Sequence, residues 1–337
     1  MFQAFFIYAS KSKCLFWYYL STCILRHCLT LQPHSITTNL RQRKNALLLG
    51  LAIIFLALFI YSSVIRPLLE PLFPELPRIP GGIGIKTLFM MLFSIFHAAY
   101  VLGWRHTLLF FGITVAVSWS YEHVGVETGL IYGAYHYTDA LGLKLGHVPI
   151  IIPIAWFMMI YPSYILANLI GSGRQMIMRE KNNNNSNNRI TLVQILWLSF
   201  LSAVIMTAWD LVVDPYLSGP TERAWIWEDG GQYFGVPLHN FAGWLLTTFT
   251  IYFIFRLLSD RIFQVRPGRR PLNTPIILLP LIGYGTMMVT NIIPGEPPEL
   301  RIIGPIVMGI PLTIAATRLL MNNNVGTAAF AKQQPKQ

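Results

Sequence analysis

The chain has 337 residues, 54% of them hydrophobic and only 12% charged, and its mean hydropathy is positive. This excludes an ordinary soluble domain and reads as an integral membrane protein. The net charge of +11 is distributed by loop rather than gathered on one face, so it speaks for membrane orientation and against a nucleic-acid partner.

Residues 1–30 are apolar and aromatic but interrupted by Lys11, Lys13 and Arg26, with no small-residue cleavage pattern. The segment 1–45 therefore reads as a cytoplasmic or membrane-associated extension rather than a cleaved signal peptide. All three cysteines, Cys14, Cys23 and Cys28, lie in it, so thiol chemistry is not expected in the rest of the chain. Apolar runs follow at 46–65, 83–103, 107–121, 148–170, 190–213, 238–258, 275–293 and 301–320, each near the roughly 20 residues that cross a bilayer. The expected architecture is an all-α, polytopic membrane bundle of about eight transmembrane helices over 46–321.

Loop charges give that bundle a direction. Arg41, Arg43 and Lys44 precede the first span; Arg174, Arg179, Lys181 and Arg189 lie between the fourth and fifth; Arg256, Arg261, Arg266, Arg269 and Arg270 close the sixth or follow it. All fall on one side of an eight-span arrangement, which the positive-inside rule makes cytoplasmic together with both termini. A cytoplasmic (plasma) membrane or its equivalent is the expected location. The run 181–188, KNNNNSNN, reads as a linker loop, VRPGRRP as a contact with lipid headgroups, and 322–337 as a disordered tail.

Four of the 14 acidic residues, Glu122, Glu127, Asp210 and Asp214, stand at the ends of membrane spans, where an unpaired carboxylate costs several kcal/mol. Capping or pairing with Arg223 would account for any one of them; four together point to chemistry. Asp210 and Asp214 share a helical face, although Pro215 biases Asp214 away from helical geometry. Glu122 lies three after Trp119, and Glu127 is expected in a Gly-flanked turn. The alternating topology brings Trp119, Glu122, Trp209, Asp210, Asp214, Trp156, His239, Asn240 and Trp244 to the outer end of four spans. Two outer loops add Tyr121, Tyr132, Tyr135, Tyr137, Trp225, Trp227, Tyr233 and Phe234, a density suited to an apolar or cation-stabilising pocket.

No two of the eight histidines are three or four residues apart, so a helical His-box metal site is not expected, and nucleotide-binding and nucleophile-elbow patterns are missing.

The segments SYEHVGVETGLIYGAYHYTDALGLKLGHVPIIIPIAWFMMIYPS (120–163), AWDLVVDP (208–215) and YFGVPLHNFAGWLL (233–246) resemble the CruF-type carotenoid hydratases, with similarity over about 85–320. The resemblance implies addition of water across the terminal C1=C2 bond of an acyclic carotenoid end group, with no metal or redox cofactor. Carotenoid, water and membrane lipids are then the expected partners, along with other carotenoid biosynthesis enzymes.

That chemistry requires an acid, a way to stabilise a tertiary cation, and one held water. The acid is expected to be Asp210 or Glu122 and the water-orienting partner Asp214 or Glu127. Trp119, Trp209 and Tyr137 are expected around the cation, and Trp156, His239, Asn240 and Trp244 near the substrate. The alternatives are a Mg-dependent intramembrane prenyltransferase, suggested by DLVVD, and a non-catalytic carotenoid-binding or transport protein.

Overall fold

The computed structural model describes residues 36–172, 191–262, 274–293 and 296–331. The cysteine-bearing head through residue 35, the Asn-rich run and the basic loop at 265–271 lie outside the described residues. By its internal contacts the chain divides into Met1–Gly50 and Leu51–Gln337, and the site described below belongs to the second unit.

Every expected apolar run forms a helix. In chain order these are α1 (Ile36–Ile60), a π-helical turn (Tyr61–Ile65) continuing into α2 (Arg66–Leu69), α3 (Gly82–Val101), α4 (Trp104–Thr128), α5 (Ile151–Ser172), α6 (Leu192–Leu217), α7 (Leu238–Ile262), α8 (Thr274–Ile292), α9 (Leu300–Val307) and α10 (Gly309–Ala331). Among the described residues, seven stretches are long and apolar enough to cross a membrane, which makes this a multi-pass membrane protein.

The third span, α4, is not among the seven because Arg105, His106, Ser118, Glu122, His123 and Glu127 dilute its hydropathy. Its 25 residues still extend for roughly 37 Å at 1.5 Å per residue. It packs against α3, α5 and α7, so the polar side chains on those faces meet protein rather than lipid.

Several boundaries differ from the sequence expectation: α1 begins at Ile36 rather than at 46, and the run 301–320 divides at Met308 into α9 and α10. Helix α4 runs on to Thr128, so Glu127 sits in its last turn rather than in a loop. Helix α10 extends past residue 321 to Ala331. Helix α6 continues through Asp214 and Pro215 to Leu217, so Asp214 is helical and keeps its i, i+4 relation to Asp210.

An interior proline removes one hydrogen bond and leaves the carbonyl four residues earlier without its usual donor, a serious cost where no water is at hand. Three of the helix prolines are accommodated in the same way, by a side chain from elsewhere in the chain. Pro215 frees the carbonyl of Leu211, and the Tyr233 hydroxyl donates to it at 2.9 Å. Pro162 frees Met158, which accepts from Ser94 Oγ at 2.9 Å. Pro280 frees Ile276, which lies 2.9 Å from His97 Nε2. A carbonyl only accepts, so His97 carries its proton on Nε2 and takes the Tyr161 hydroxyl proton on Nδ1 at 2.7 Å.

Between the helices, large rings close the core: Phe110 stacks on Phe255 at 3.9 Å, with Phe157, Tyr164 and Tyr252 around them. Buried tyrosines also tie helices to one another. Tyr252 donates to the carbonyl of Ile160 and Tyr284 to that of Ile205, both at 2.9 Å. Lipid gives no hydrophobic drive between helices, so such packing and bonds, each worth about 0.6 kcal/mol on average, carry the association.

The outer loops add the sole strands among the described residues. β1 (Tyr135–Tyr137) pairs antiparallel with β4 (Trp225–Trp227), with Tyr135 opposite Trp227 and Tyr137 opposite Trp225. β2 (Lys144–Leu145) and β3 (Val148–Pro149) form a small hairpin.

Candidate active site

Asp210 and Asp214, one turn apart on α6, are both fully buried. Asn240, in the first turn of α7, donates through Nδ2 to Asp210 Oδ2 at 2.9 Å and to Asp214 Oδ2 at 2.7 Å, so one amide joins the two carboxyls. The other oxygen of Asp214 accepts the indole N–H groups of Trp225 at 3.0 Å and Trp227 at 3.2 Å. Asp210 Oδ1 is buried with no partner. Arg223, the sequence candidate for pairing with these carboxylates, is exposed, and three neutral donors hold Asp214 instead.

Glu122 projects from α4 and is also held by neutral donors. Its Oε2 accepts the hydroxyls of Tyr135 at 2.5 Å and Tyr137 at 2.7 Å, and its Oε1 accepts Trp156 Nε1, from α5, at 3.2 Å. Strand alternation explains why one short ribbon serves two carboxyls: residues i and i+2 share a face. Tyr135 and Tyr137 on β1 hold Glu122, while Trp225 and Trp227 on β4 hold Asp214. Burial, followed by the neighbouring Glu122 charge, pushes the Tyr135 and Tyr137 hydroxyls well above the ordinary phenol range, so both remain proton donors.

Both carboxyls open onto one cavity of about 280 Å³. Its walls are mainly apolar and aromatic, with Trp156, Trp209, Trp225, Trp227 and Trp244 prominent among them. Trp156 stacks on Trp244 at 4.1 Å and 17°, and Trp209 meets Trp244 edge-on at 5.8 Å. The chamber lies at the end of the bundle formed by the C-terminal ends of α4, α6 and α8 and the N-terminal ends of α3, α5 and α7. Such a space suits a branched hydrocarbon end group and, by the facing rings and carboxylates, a positive charge developing on it.

The structure brings Glu122, Asp210, Asp214, Tyr137, Trp156, Trp209, Asn240 and Trp244 together. It separates three other sequence candidates from the chamber. Glu127, five residues after Glu122 and so about 140° around the helix, points away from the cavity; it is half exposed and lies 3.4 Å from His123 and 3.7 Å from His147. Trp119 stacks on His123 at 5.0 Å and donates to the carbonyl of Leu145, on the flank of the β2–β3 hairpin. His239 is exposed, one residue before Asn240, because adjacent helix positions do not share a face.

Tyr135, Trp225 and Trp227 were legible only as aromatic density, although the Tyr-x-Tyr and Trp-x-Trp alternation is the signal that pairs them on a strand face. Ser63 and Lys86, also on the wall, carried no signal in the sequence reading.

The model of a family described as "Carotenoid biosynthesis protein" matches residues 82–316. The chain belongs to that family. Its matched region includes every residue named above around the two carboxyl centres. A curated relative, bisanhydrobacterioruberin hydratase from Haloarcula japonica, is 32% identical over 168 residues. That alignment covers 50% of each chain, so the protein matches about half the length of this relative. No solved structure matches the chain.

Proposed function

We propose that the protein is a carotenoid hydratase that adds water across the terminal C1=C2 double bond of an acyclic carotenoid end group. The observation that carries this reading is the single aromatic chamber onto which Glu122 and Asp214 open from separate spans. Family membership and the relative's name support the substrate class and the reaction type.

Hydration begins when a carboxylic acid gives its proton to C2, leaving a tertiary cation at C1. Water then bonds to C1 and releases a proton to a carboxylate. Asp214 lies on the cavity wall, whereas Asp210 does not and reaches it through Asn240. Asp214 is therefore assigned as the proton donor to the alkene, with Asp210 behind it fixing the same Asn240 amide; the proton that the captured water releases to Glu122 returns to Asp214 before the next turnover. This reverses the sequence expectation, which had Asp210 or Glu122 as the acid and Asp214 or Glu127 as the water-orienting partner: Asp214 takes the acid's role and Glu122 the partner's.

Glu122, surrounded by three donors, suits an ionised carboxylate that faces the cation and takes the proton of the captured water. Trp156 and Trp244 add the attraction of their ring faces, about 0.5–2 kcal/mol each. That is small against an alkene-protonation barrier, so the placement of the acid decides the rate.

A polyene chain of roughly bilayer length would then lie along the helices with its end group at the membrane boundary, where water is available. The test is expression in cells that accumulate a carotenoid with an acyclic end, followed by mass spectrometry of the extracted pigment. A gain of one water, lost in Asp214→Asn, is expected. Unchanged pigment would point to a binding or transport role, and activity that requires a prenyl diphosphate and is abolished by a chelator would point to prenyl transfer.

A further inference from the structure

The carboxylates account for protons, but not for how one water is held in a chamber walled by rings. Two residues of the cavity wall carry buried polar atoms with no partner: Ser63, through Oγ, and Trp209, through Nε1. Ser63 sits in the π-helical turn Tyr61–Ile65, where an extra residue is accommodated in the first span. Such turns interrupt regular helix bonding and recur at functional positions.

Its neighbour shows what the turn changes. Ser62 Oγ donates back to the carbonyl of Phe59 at 3.2 Å, the usual way a helix satisfies a serine, while Ser63 Oγ is left unpaired at 2% exposure on the chamber wall. An unsatisfied buried hydroxyl is costly, and a polar atom at the edge of a cavity is normally satisfied by water. The cavity's 280 Å³ is many times the roughly 10–15 Å³ that one water requires.

The chamber wall carries further polar groups besides the two carboxyl centres. Lys86 and Glu222 line the wall, are partly exposed and lie within Coulombic range of each other, and Tyr216 donates to Glu222 at 2.6 Å. Thr290 and Asn291, from α8, also line it, and α8 packs against the π-turn. A charged mouth is a poor path for a polyene and a good one for water.

We infer that this mouth is where the reacting water enters, and that Ser63 Oγ holds the water that captures the cation. The inference rests on the hydratase reading. With water in place, the cation at C1 gains a C–O bond and the water's proton passes to a carboxylate. With water absent, the cation instead loses a proton from an adjacent carbon and a C=C bond re-forms. In deuterium oxide the acid delivers a deuteron, so the second path returns substrate carrying deuterium.

The test is incubation of the purified protein with an acyclic-ended carotenoid in deuterium oxide, measuring hydrate and deuterated substrate together. Loss of one hydrogen bond to the water is expected to lower the ratio of hydrate to deuterated substrate by about 2- to 10-fold in Ser63→Ala. Ser63→Thr, which keeps the hydroxyl, is expected to restore it, and Ser62→Ala to leave it unchanged. A Ser63→Ala protein in which the ratio stays at the native value, whether or not total turnover falls, overturns the assignment, since a purely structural role lowers both products equally. A native protein that forms neither hydrate nor deuterated substrate removes the hydratase reading itself, and this inference with it.

Discussion

At the scale of single residues, the proposed mechanism makes Asp214 and Glu122 unequal neighbours of one substrate. Asp214→Asn keeps the shape but has no proton to give, so hydration is expected to fall by at least about 100-fold, the usual size of a general-acid contribution. Removing one donor from Glu122, as in Tyr135→Phe or Tyr137→Phe, should cost about 10- to 100-fold, since hydrogen bonds to charged groups are worth about 1.5–3 kcal/mol. Both effects are read from initial rates of hydrate formation. The same tyrosines bear on stability. Their pKa values are raised above those of the unfolded chain, so their contribution is fully present below pH ~10 and is lost as pH rises beyond it. Thermal unfolding of the native protein in detergent should therefore shift downward above pH ~10, and less so for the Tyr135→Phe, Tyr137→Phe double variant. A constant unfolding temperature across that range would contradict the burial of these hydroxyls. The carboxylates themselves were legible in the sequence because acidic residues are scarce and each stood at a span end. Glu127 was misplaced because helix α4 runs past residue 121, and only a continuous helix carries it to the opposite face from Glu122.

At the scale of elements, the two-strand ribbon is what the pattern of apolar runs could not reveal. Three-residue strands leave no periodic stretch long enough to read, and their pairing joins residues about 90 positions apart. The ribbon's seat depends on one close approach. In α7, a methyl group at Gly243 would lie 2.2 Å from the carbonyl oxygen of Ile131 and 2.6 Å from the Tyr132 ring, so the loop leading to β1 packs directly on helix backbone. Tyr132 then donates or accepts at Thr247 at 2.8 Å, one turn further along α7. Gly243→Ala is expected to destabilise by about 1–3 kcal/mol through this overpacking and to reduce hydration at the same time. Gly112→Ala on α4, where nothing lies within 4 Å, is expected to be neutral or stabilising by up to about 1 kcal/mol. Melting temperatures of the two variants measured side by side check the contrast. Helix existence was far easier to read than helix ends. At Pro215 the sequence favours a break, yet the Tyr233 hydroxyl satisfies the freed carbonyl and α6 continues, which keeps Asp214 aligned with Asp210.

At the scale of the whole molecule, bilayer-length apolar runs make the fold readable, and alternation of span direction by itself gathers the polar ends into one region. What the linear pattern could not supply was depth and facing: which of several interfacial residues turn inward is decided by helix phase and by the ribbon. From the loop charges we propose that the ribbon and chamber face the non-cytoplasmic side. A cysteine introduced at the exposed Leu143, in a chain whose Cys14, Cys23 and Cys28 are replaced by serine, should react with a membrane-impermeant maleimide added outside intact cells; labelling only after permeabilisation would invert the orientation. The central claim, that carboxyls from separate spans protonate an alkene end so that water can add, is tested most directly by incubating purified protein with an acyclic-ended carotenoid in heavy-oxygen water. The account predicts a tertiary alcohol carrying the heavy oxygen, formed by the native protein and not by Asp214→Asn. Pigment recovered without added oxygen, or equal hydrate formation by the two proteins, would contradict it.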